Sequence, residues 1–323
     1  MRYALSLAIA LATPAIASAS DLNVTVRSGG ASTVTVAPGA TVNYEIVGEF
    51  SDAANDGLAY FRCDLEFEGA PLNAANAPVS APMTNFARPL GLTNPAGFGG
   101  TPIGGKLIQV GGAQNTINNA FAAAPTGVVI TGIAKPGTPQ VLVTGTLNAP
   151  LKVGDFKLKV TNLDANVIRQ GGTGVPFWPC DAAGNGTITD LTVHVSALSA
   201  APATVSITGA RTQTLSLNAG LPHATRHYWV LGSLAGTAPG LDVWPGVNLP
   251  LNPDQYMTYL ASFPNNRILT NESGVLDASG QATAVFHLPA GQSPALVGTV
   301  IHHAYLLIPF TFTSEAVAVT LVP

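Results

Sequence analysis

The sequence predicts an all-β protein built from two β-sandwich domains in tandem, jelly-roll or immunoglobulin-like, behind a signal peptide. Short runs of Val, Ile, Thr, Leu and aromatic residues alternate with polar ones and end at Gly, Pro, Asn or Asp. Hydrophobic residues make up 47% of the chain and charged residues only 9%. The 323 residues fit about two domains at roughly 100–200 residues each.

The N-terminus has the pattern of a secretory signal peptide. Arg2 supplies a positive charge, residues 4–16 are almost all apolar, and small residues at 15, 17 and 19 offer two cleavage positions. A buried N-terminal helix is the alternative. We assign residues 1–19 to the signal peptide and expect a secreted protein, extracellular or periplasmic, without a transmembrane anchor.

The first sandwich is predicted over residues 20–198. Val42, Tyr44 and Ile46 alternate with polar residues and should share the buried face of a strand. In the strand over residues 58–67, Cys63 falls among the apolar positions and should point into the core. Residues 69–105 are rich in Pro, Asn, Ala and Gly, which predicts an ordered surface excursion or a functional loop.

A change in composition predicts the domain boundary. Residues 199–202 are small and uncharged and are assigned to a linker. The second sandwich is predicted over residues 203–323, ending in an alternating strand.

Two cysteines, Cys63 and Cys180, are present. In an oxidising compartment such a pair is expected to form a disulfide. Two buried free thiols are the alternative.

Residues 37–67 resemble cohesin domains and related carbohydrate-binding modules. That family has a Pro-Gly turn before a strand, then a strand of the form Gly-Leu-x-x-Phe-x-x-x-Leu. The matching residues here are Pro38, Gly39, Gly57, Leu58, Phe61 and Leu65. Phe67-Glu68 stands where the family has Tyr-Asp. The resemblance implies a jelly-roll sandwich rather than dockerin binding. The rest of the chain is similar to uncharacterised exported bacterial proteins, and that similarity implies no function.

Charge and motifs exclude several functions. Thirteen Lys and Arg residues against 17 Asp and Glu leave no basic surface for nucleic acid. The sequence has no Gly-x-Ser-x-Gly, no His-Glu-x-x-His and no phosphate-binding loop. We therefore expect neither enzymatic activity nor a cofactor. A secreted hydrolase with a carboxylate pair brought together only by folding is the weakest alternative.

Two patterns partly match metal sites. Residues 181–189, beginning at Asp181, partly match a calcium loop but lack two of its ligands, so an Asn185-Gly186 hairpin turn is the favoured interpretation. On a helix His223 and His227 could share one ion, but the sequence from His227 onward is strand-like, and on a strand the two side chains are too far apart for one ion. No metal site is predicted.

Aromatic residues give the best indication of binding. Trp244 lies in a Pro/Gly loop, and Tyr256 and Tyr259 lie in a segment that fits a short helix or a strand. Core packing of the two tyrosines is the alternative. The sequence thus predicts an exported, non-enzymatic protein that binds polysaccharide or a cell-surface protein through Trp244, Tyr256 and Tyr259. A structural, self-assembling envelope or matrix component is the second prediction. The oligomeric state is left open.

Overall fold

The computed structural model describes residues 20–84, 98–113, 133–169, 180–209 and 211–323. The signal-peptide assignment of residues 1–19 lies outside these ranges. The described residues contain 23 strands and little helix, so the all-β prediction is confirmed. Among them, no helix is long and apolar enough to cross a membrane.

The first part of the chain contains twelve strands and one helical turn. These are β1 (Asp21–Arg27), β2 (Thr33–Val36), β3 (Thr41–Phe50), β4 (Asn55–Phe67), β5 (Asn73–Ala74), α1 (Ala81–Thr84), β6 (Phe98–Ile103), β7 (Lys106–Ala113), β8 (Gln140–Asn148), β9 (Gly154–Arg169), β10 (Cys180–Ala182), β11 (Gly184–Thr189) and β12 (Leu191–Val195).

These strands form two sheets, which we call the N-terminal sandwich. One sheet has the order β11-β1-β3-β8-β5, and the other has the order β2-β12-β9-β4-β7-β6, with β10 also pairing with β9. The alternating apolar residues of both sheets meet in one core, as the period-two pattern predicts. Val42, Tyr44 and Ile46 are all buried there, and so is Cys63.

The Asp64 carboxylate of β4 stabilises two β-bulges, one in the pairing with β7 and one in the pairing with β9. Gln109 of β7 and Asn162 of β9 both adopt positive φ, at 60° and 50°. The Gln109 backbone N–H donates to Asp64 Oδ1 at 2.8 Å, and the Asn162 amide donates to Asp64 Oδ2 at 2.6 Å. The pairing of β4 shifts register on both sides at this level, so one carboxylate supports two bulges.

The predicted excursion at 69–105 is ordered where it is described. β6 pairs with β7 at the sheet edge, and β5 pairs with β8 of the other sheet. Met83 of α1 is buried in the core. Residues 85–97 lie outside the described ranges.

The second part of the chain contains eleven strands, one helix and two 3-10 turns. These are β13 (Leu198–Ala201), β14 (Thr204–Ser206), β15 (Thr212–Asn218), a 3-10 turn (Leu221–His223), β16 (His227–Ser233), β17 (Leu241–Trp244), β18 (Val247–Leu249), α2 (Gln255–Ser262), β19 (Leu269–Thr270), β20 (Ser273–Val275), β21 (Gln281–His287), a 3-10 turn (Pro294–Leu296), β22 (Val300–Ile308) and β23 (Val317–Val322).

These elements form the C-terminal sandwich. One sheet has the order β13-β15-β21-β19 and the other the order β14-β23-β22-β16-β20, while β17 and β18 form a separate hairpin. A second apolar core lies between the sheets, and Leu215, Phe286 and Tyr305 are among its buried side chains.

The segment predicted as a linker is largely a paired strand. β13 pairs with β15 through residues 198–201, so these residues belong to the C-terminal sandwich. Glu315 fixes the residues at the start of β13. Its carboxylate accepts from the Ser196 hydroxyl at 2.5 Å and from the Ala197 and Leu198 N–H groups at 3.0–3.1 Å. The composition break therefore marks the junction of the two cores but not a flexible connection.

Candidate functional site

The β17–β18 hairpin places Trp244 on an exposed face. Leu241 and Val243 are half-buried and pack against the C-terminal core, while Asp242 and Trp244 are exposed. The pairing shifts register between Asp242 and Trp244, so that Asp242 pairs with Asn248 and Trp244 with Val247. Pro245 and Gly246 make the turn, and Gly246 adopts a φ of 78°, which glycine allows at little cost. The Trp244 side chain is 62% exposed.

Asp242 and Asn248 lie opposite each other on this hairpin. The Asn248 amide donates to Asp242 Oδ1 at 2.9 Å. Within the described part of the chain, Asp242 Oδ2 and Asn248 Oδ1 accept no hydrogen bond from the protein. The hairpin thus presents an indole together with two acceptor oxygens fixed by their own hydrogen bond.

Two further contacts hold the hairpin in place. Asn248 O accepts from the Thr313 hydroxyl at 2.9 Å. The Asn252 amide side chain accepts from Gly240 N at 3.0 Å and donates to Ala235 O and Ala238 O at 2.8 and 2.7 Å. These bonds tie both ends of the hairpin to the body of the sandwich.

The helix α2 separates the two predicted tyrosines. Tyr256 faces the sheet, where its hydroxyl lies 3.1 Å from His303 Nε2, and burial raises its pKa well above the ordinary value. Tyr259 lies on the outer side, 37% exposed, with its ring centroid 5.4 Å from that of Phe263. Tyr259 is therefore exposed to a partner, whereas Tyr256 is only partly exposed and directs its hydroxyl at His303. Trp244 belongs to a different element.

The predicted disulfide between Cys63 and Cys180 is absent from the structure: Cys63 is buried and Cys180 is exposed. On β4, Cys63 lies level with residues 162–163 of β9, because Arg62 pairs with Asp164 and Asp64 with Thr161. Cys180 pairs with Ile168, about 16 Å further along β9 and on its other side. A disulfide requires Cα atoms within about 7 Å.

Residues 181–189, which partly match a calcium loop, form strands, and Asp181 binds Arg169. Residues 184–189 form β11, which pairs with β1 in parallel, so the predicted Asn185-Gly186 hairpin turn is wrong. Asp181 is engaged by both Arg169 Nε and Arg169 NH2, at 2.9 and 2.6 Å, and this guanidinium lowers the pKa of the carboxyl group. Among the described residues, no group of three or more His, Cys, Asp or Glu side chains could hold a metal ion.

A cleft at the junction of the sandwiches is a feature that the sequence did not predict. It has a volume of about 570 Å³, and its walls include Leu151 and Lys152 from the N-terminal sandwich and Val247, Asn248 and Phe312 from the C-terminal one. Strand β18 of the hairpin supplies part of its wall. Its residues are distant in sequence, so composition and spacing carried no signal for it.

No family model and no curated protein matches the chain. Among solved structures, it is similar to the sixth cohesin of scaffoldin B from Acetivibrio cellulolyticus, solved with a Cel5 dockerin mutant. That match has 12% identity and a TM-score of 0.32, and it covers 55% of this chain and 99% of the cohesin. A likeness to cohesins is therefore found in structure as well as in residues 37–67.

Two further similar structures extend over almost the whole chain. The major pilin subunit BcpA of Bacillus cereus is 8% identical, with a TM-score of 0.29 and coverage of 94% of this chain and 69% of the pilin. The polymeric Ig receptor ectodomain of a teleost fish is 12% identical, with a TM-score of 0.30 and coverage of 93% and 98%. These likenesses concern the fold.

Proposed function

We propose that the chain is an exported, non-catalytic binding protein that recognises polysaccharide through the exposed face of the β17–β18 hairpin. The observation that carries the proposal is the 62% exposure of Trp244 on the same hairpin as the hydrogen-bonded pair Asp242 and Asn248. Tryptophan is enriched at contact surfaces, where its indole offers a large apolar face and one polar N–H group.

The chemistry of this face fits a sugar. The C–H groups on one side of a pyranose ring pack against an indole, whose face is electron-rich. Hydroxyl groups of the same polysaccharide can donate to Asp242 Oδ2 and Asn248 Oδ1. Because one of these acceptors is a carboxylate, the hydrogen bonds it receives are charge-assisted. A neutral polysaccharide suits this face better than an acidic one, since Asp242 would repel a uronic acid.

The first test is binding of the full mature chain to a panel of neutral and acidic polysaccharides. Trp244→Ala should weaken binding by at least about tenfold, the effect expected of an aromatic contact worth about 1.4 kcal/mol or more. Asp242→Asn keeps the shape of the hairpin and should weaken binding less. Phe263→Ala is the matched control, because Phe263 is 60% exposed on a different element.

Either of two results would contradict the proposal: no binding across the panel, or equal losses in the Trp244 and Phe263 variants. Binding of a surface protein through Trp244, with no polysaccharide bound, would keep the hairpin as the site and replace its ligand.

A structural, self-assembling role is the second candidate, favoured by strand β2. In the described part of the chain β2 has a strand neighbour on one side only, β12. Its residues, Thr33–Val36, include no charge and no proline, which are the usual guards of a free edge. Sedimentation at increasing protein concentration tests this role. A monomer at all concentrations excludes it, and assembly blocked by Thr35→Lys supports it.

A further inference from the structure

A second cleft lies at the junction of the sandwiches, and we call it the Phe156 cleft. Its lining shares only Leu151 and Lys152 with the cleft bordered by β18. Its volume is about 540 Å³, a usual size for a site that binds a small molecule. Its apolar lining includes Pro71, Leu151 and Phe156 from the N-terminal sandwich and Pro222 from the C-terminal one.

Close packing holds the walls of the Phe156 cleft in place. A Cβ atom at Gly39 would lie 2.8 Å from Pro222 Cγ and 2.9 Å from Leu151 Cδ2, so both side chains pack against this glycine. The Phe156 ring lies edge-on to the buried ring of Phe67, with the two ring centroids 6.4 Å apart. The cleft is therefore formed before a ligand enters, which lowers the cost of binding.

Three exposed side chains that can donate hydrogen bonds also line the cleft, namely Lys152, Asn73 and Asn148. Asn73 of β5 pairs directly with Asn148 of β8, so the two amide side chains lie on the same face of the sheet. In the described part of the chain, Lys152 forms no ion pair, and neither amide side chain is bonded to a protein group. All three are free to bind a ligand.

The charge of the Phe156 cleft is positive, although the chain as a whole carries a net charge of -4. Lys152 is the one charged side chain among the described residues that line it. Glu68 is next in sequence to the lining residue Gly69, but its carboxylate is paired with Lys159 Nζ at 3.0 Å. The cleft therefore favours an anion.

We propose that the Phe156 cleft binds a small aromatic carboxylate. The ligand's ring packs against Phe156 and the apolar walls, and a pair of aromatic rings gains more than the apolar area it buries. Its carboxylate accepts hydrogen bonds from Lys152 and from the amides of Asn73 and Asn148, and the bond from the lysine is charge-assisted on both sides. An ionised carboxylate accepts only, so three donors suit it. This site is separate from Trp244.

NMR titration of the full chain with cinnamate and with neutral cinnamamide tests the proposal. The two probes have the same ring and nearly the same shape but differ in charge, so cinnamate should bind more tightly. Lys152→Gln should weaken cinnamate binding about three- to fivefold, the upper part of the range for exposed ion pairs, and leave cinnamamide binding unchanged. Lys157→Gln, at an exposed lysine of β9 outside the cleft, is the matched control.

A second pair of variants distinguishes the two clefts, since Lys152 lines both. Asn73→Trp places a large ring in the Phe156 cleft and should weaken binding of both probes by at least about tenfold. Thr311→Trp does the same in the cleft bordered by β18 and should change neither. The wild type gives a reading that needs no variant: cinnamate should shift the amide signals of residues 70–73 and 148–152, and not those of 246–248.

Any of four results would overturn the proposal. The first is no saturable shift with cinnamate, and the second is cinnamamide bound as tightly as cinnamate. The third is an equal effect of the Lys152 and Lys157 variants, which would indicate a general effect of charge. The fourth is a loss of binding in Thr311→Trp in place of Asn73→Trp, with shifts at residues 246–248, which would move the site to the other cleft.

Discussion

At the scale of single residues, the two cysteines occupy different environments. Burial raises the pKa of both thiols, and most strongly that of Cys63. We expect a thiol reagent to modify Cys180 in the native protein and Cys63 only after unfolding. Reduction should leave the melting temperature unchanged, whereas loss of a native disulfide typically costs about 2–5 kcal/mol. A marked fall in the melting temperature on reduction would contradict the structure.

The inward direction of Cys63 could be predicted from sequence, but its pairing could not. Alternation along β4 assigns every second side chain to the core, and this needs no knowledge of neighbours. Whether Cys180 lies opposite it depends on the register of three strands. That register is set partly by Asp64, whose two hydrogen bonds support bulges far away in sequence. No local pattern reveals such a bond.

At the scale of elements, Asp254 joins α2 to the end of β16. Its Oδ1 accepts from Met257 N at 2.8 Å as the N-cap of the helix. Its Oδ2 accepts from Leu234 N and Ala235 N at 2.6 and 3.1 Å, and from the Ser233 hydroxyl at 3.2 Å. One carboxylate thus starts the helix and shapes the loop before the hairpin.

Asp254→Ala should lower the free energy of unfolding by about 1–2 kcal/mol, the usual cost of losing an N-cap. Since its hydrogen bonds lower the pKa of Asp254, this contribution is present at neutral pH and is lost as the pH falls below the ordinary value of 3.8. Chemical denaturation at pH 7 measures the loss. Gln255→Ala, at an exposed neighbour, is the control and should change little.

The sequence predicted the secondary structure of these elements better than it predicted which of their side chains meet. A short helix was one interpretation of the residues around Tyr256, and the apolar spacing of Tyr256 and Leu260 follows its inner side. Trp244 was predicted in a Pro/Gly loop, but it is the last residue of strand β17 and pairs with Val247 across the Pro245-Gly246 turn. The role of Asn248 could not be predicted from the sequence, because Asp242 and Asn248 meet only when the hairpin forms.

At the scale of the whole molecule, the two sandwiches meet along a close backbone contact. A Cβ atom at Gly220 would lie 2.0 Å from Pro38 O, so only glycine fits there. Val153 of the N-terminal sandwich packs against the C-terminal core, and Tyr305 donates to Ala197 O at 3.3 Å. Together with Glu315, these contacts fix how the sandwiches join.

Gly220→Ala should therefore separate the sandwiches without disturbing either core. We expect calorimetry to resolve two unfolding transitions where the wild type shows coupled unfolding. Gly298→Ala is the matched control: its φ of 89° is close to the 80° of Gly220, but nothing lies within 4 Å of its added Cβ. Equal effects of the two variants would mean that backbone strain, and not the contact with Pro38, explains the result.

Composition predicted two sandwiches, but it could not predict this junction. The residues near 199–202 are small and uncharged, as linkers often are, and yet they pair as β13. Their partners, β15 and Glu315, lie elsewhere in the sequence. The same limit applies to the cleft, whose walls come from both halves of the chain.

The strand order has a consequence for synthesis of the protein. The N-terminal sandwich closes when β11 and β12 pair with β1 and β2, so it can be complete once the chain is available up to residue 195. The C-terminal sandwich pairs β14 with β23, its last strand, and waits for residue 322. Folding in the order in which the chain becomes available is thus expected in two steps, with the second half exposed longest to chaperones and proteases.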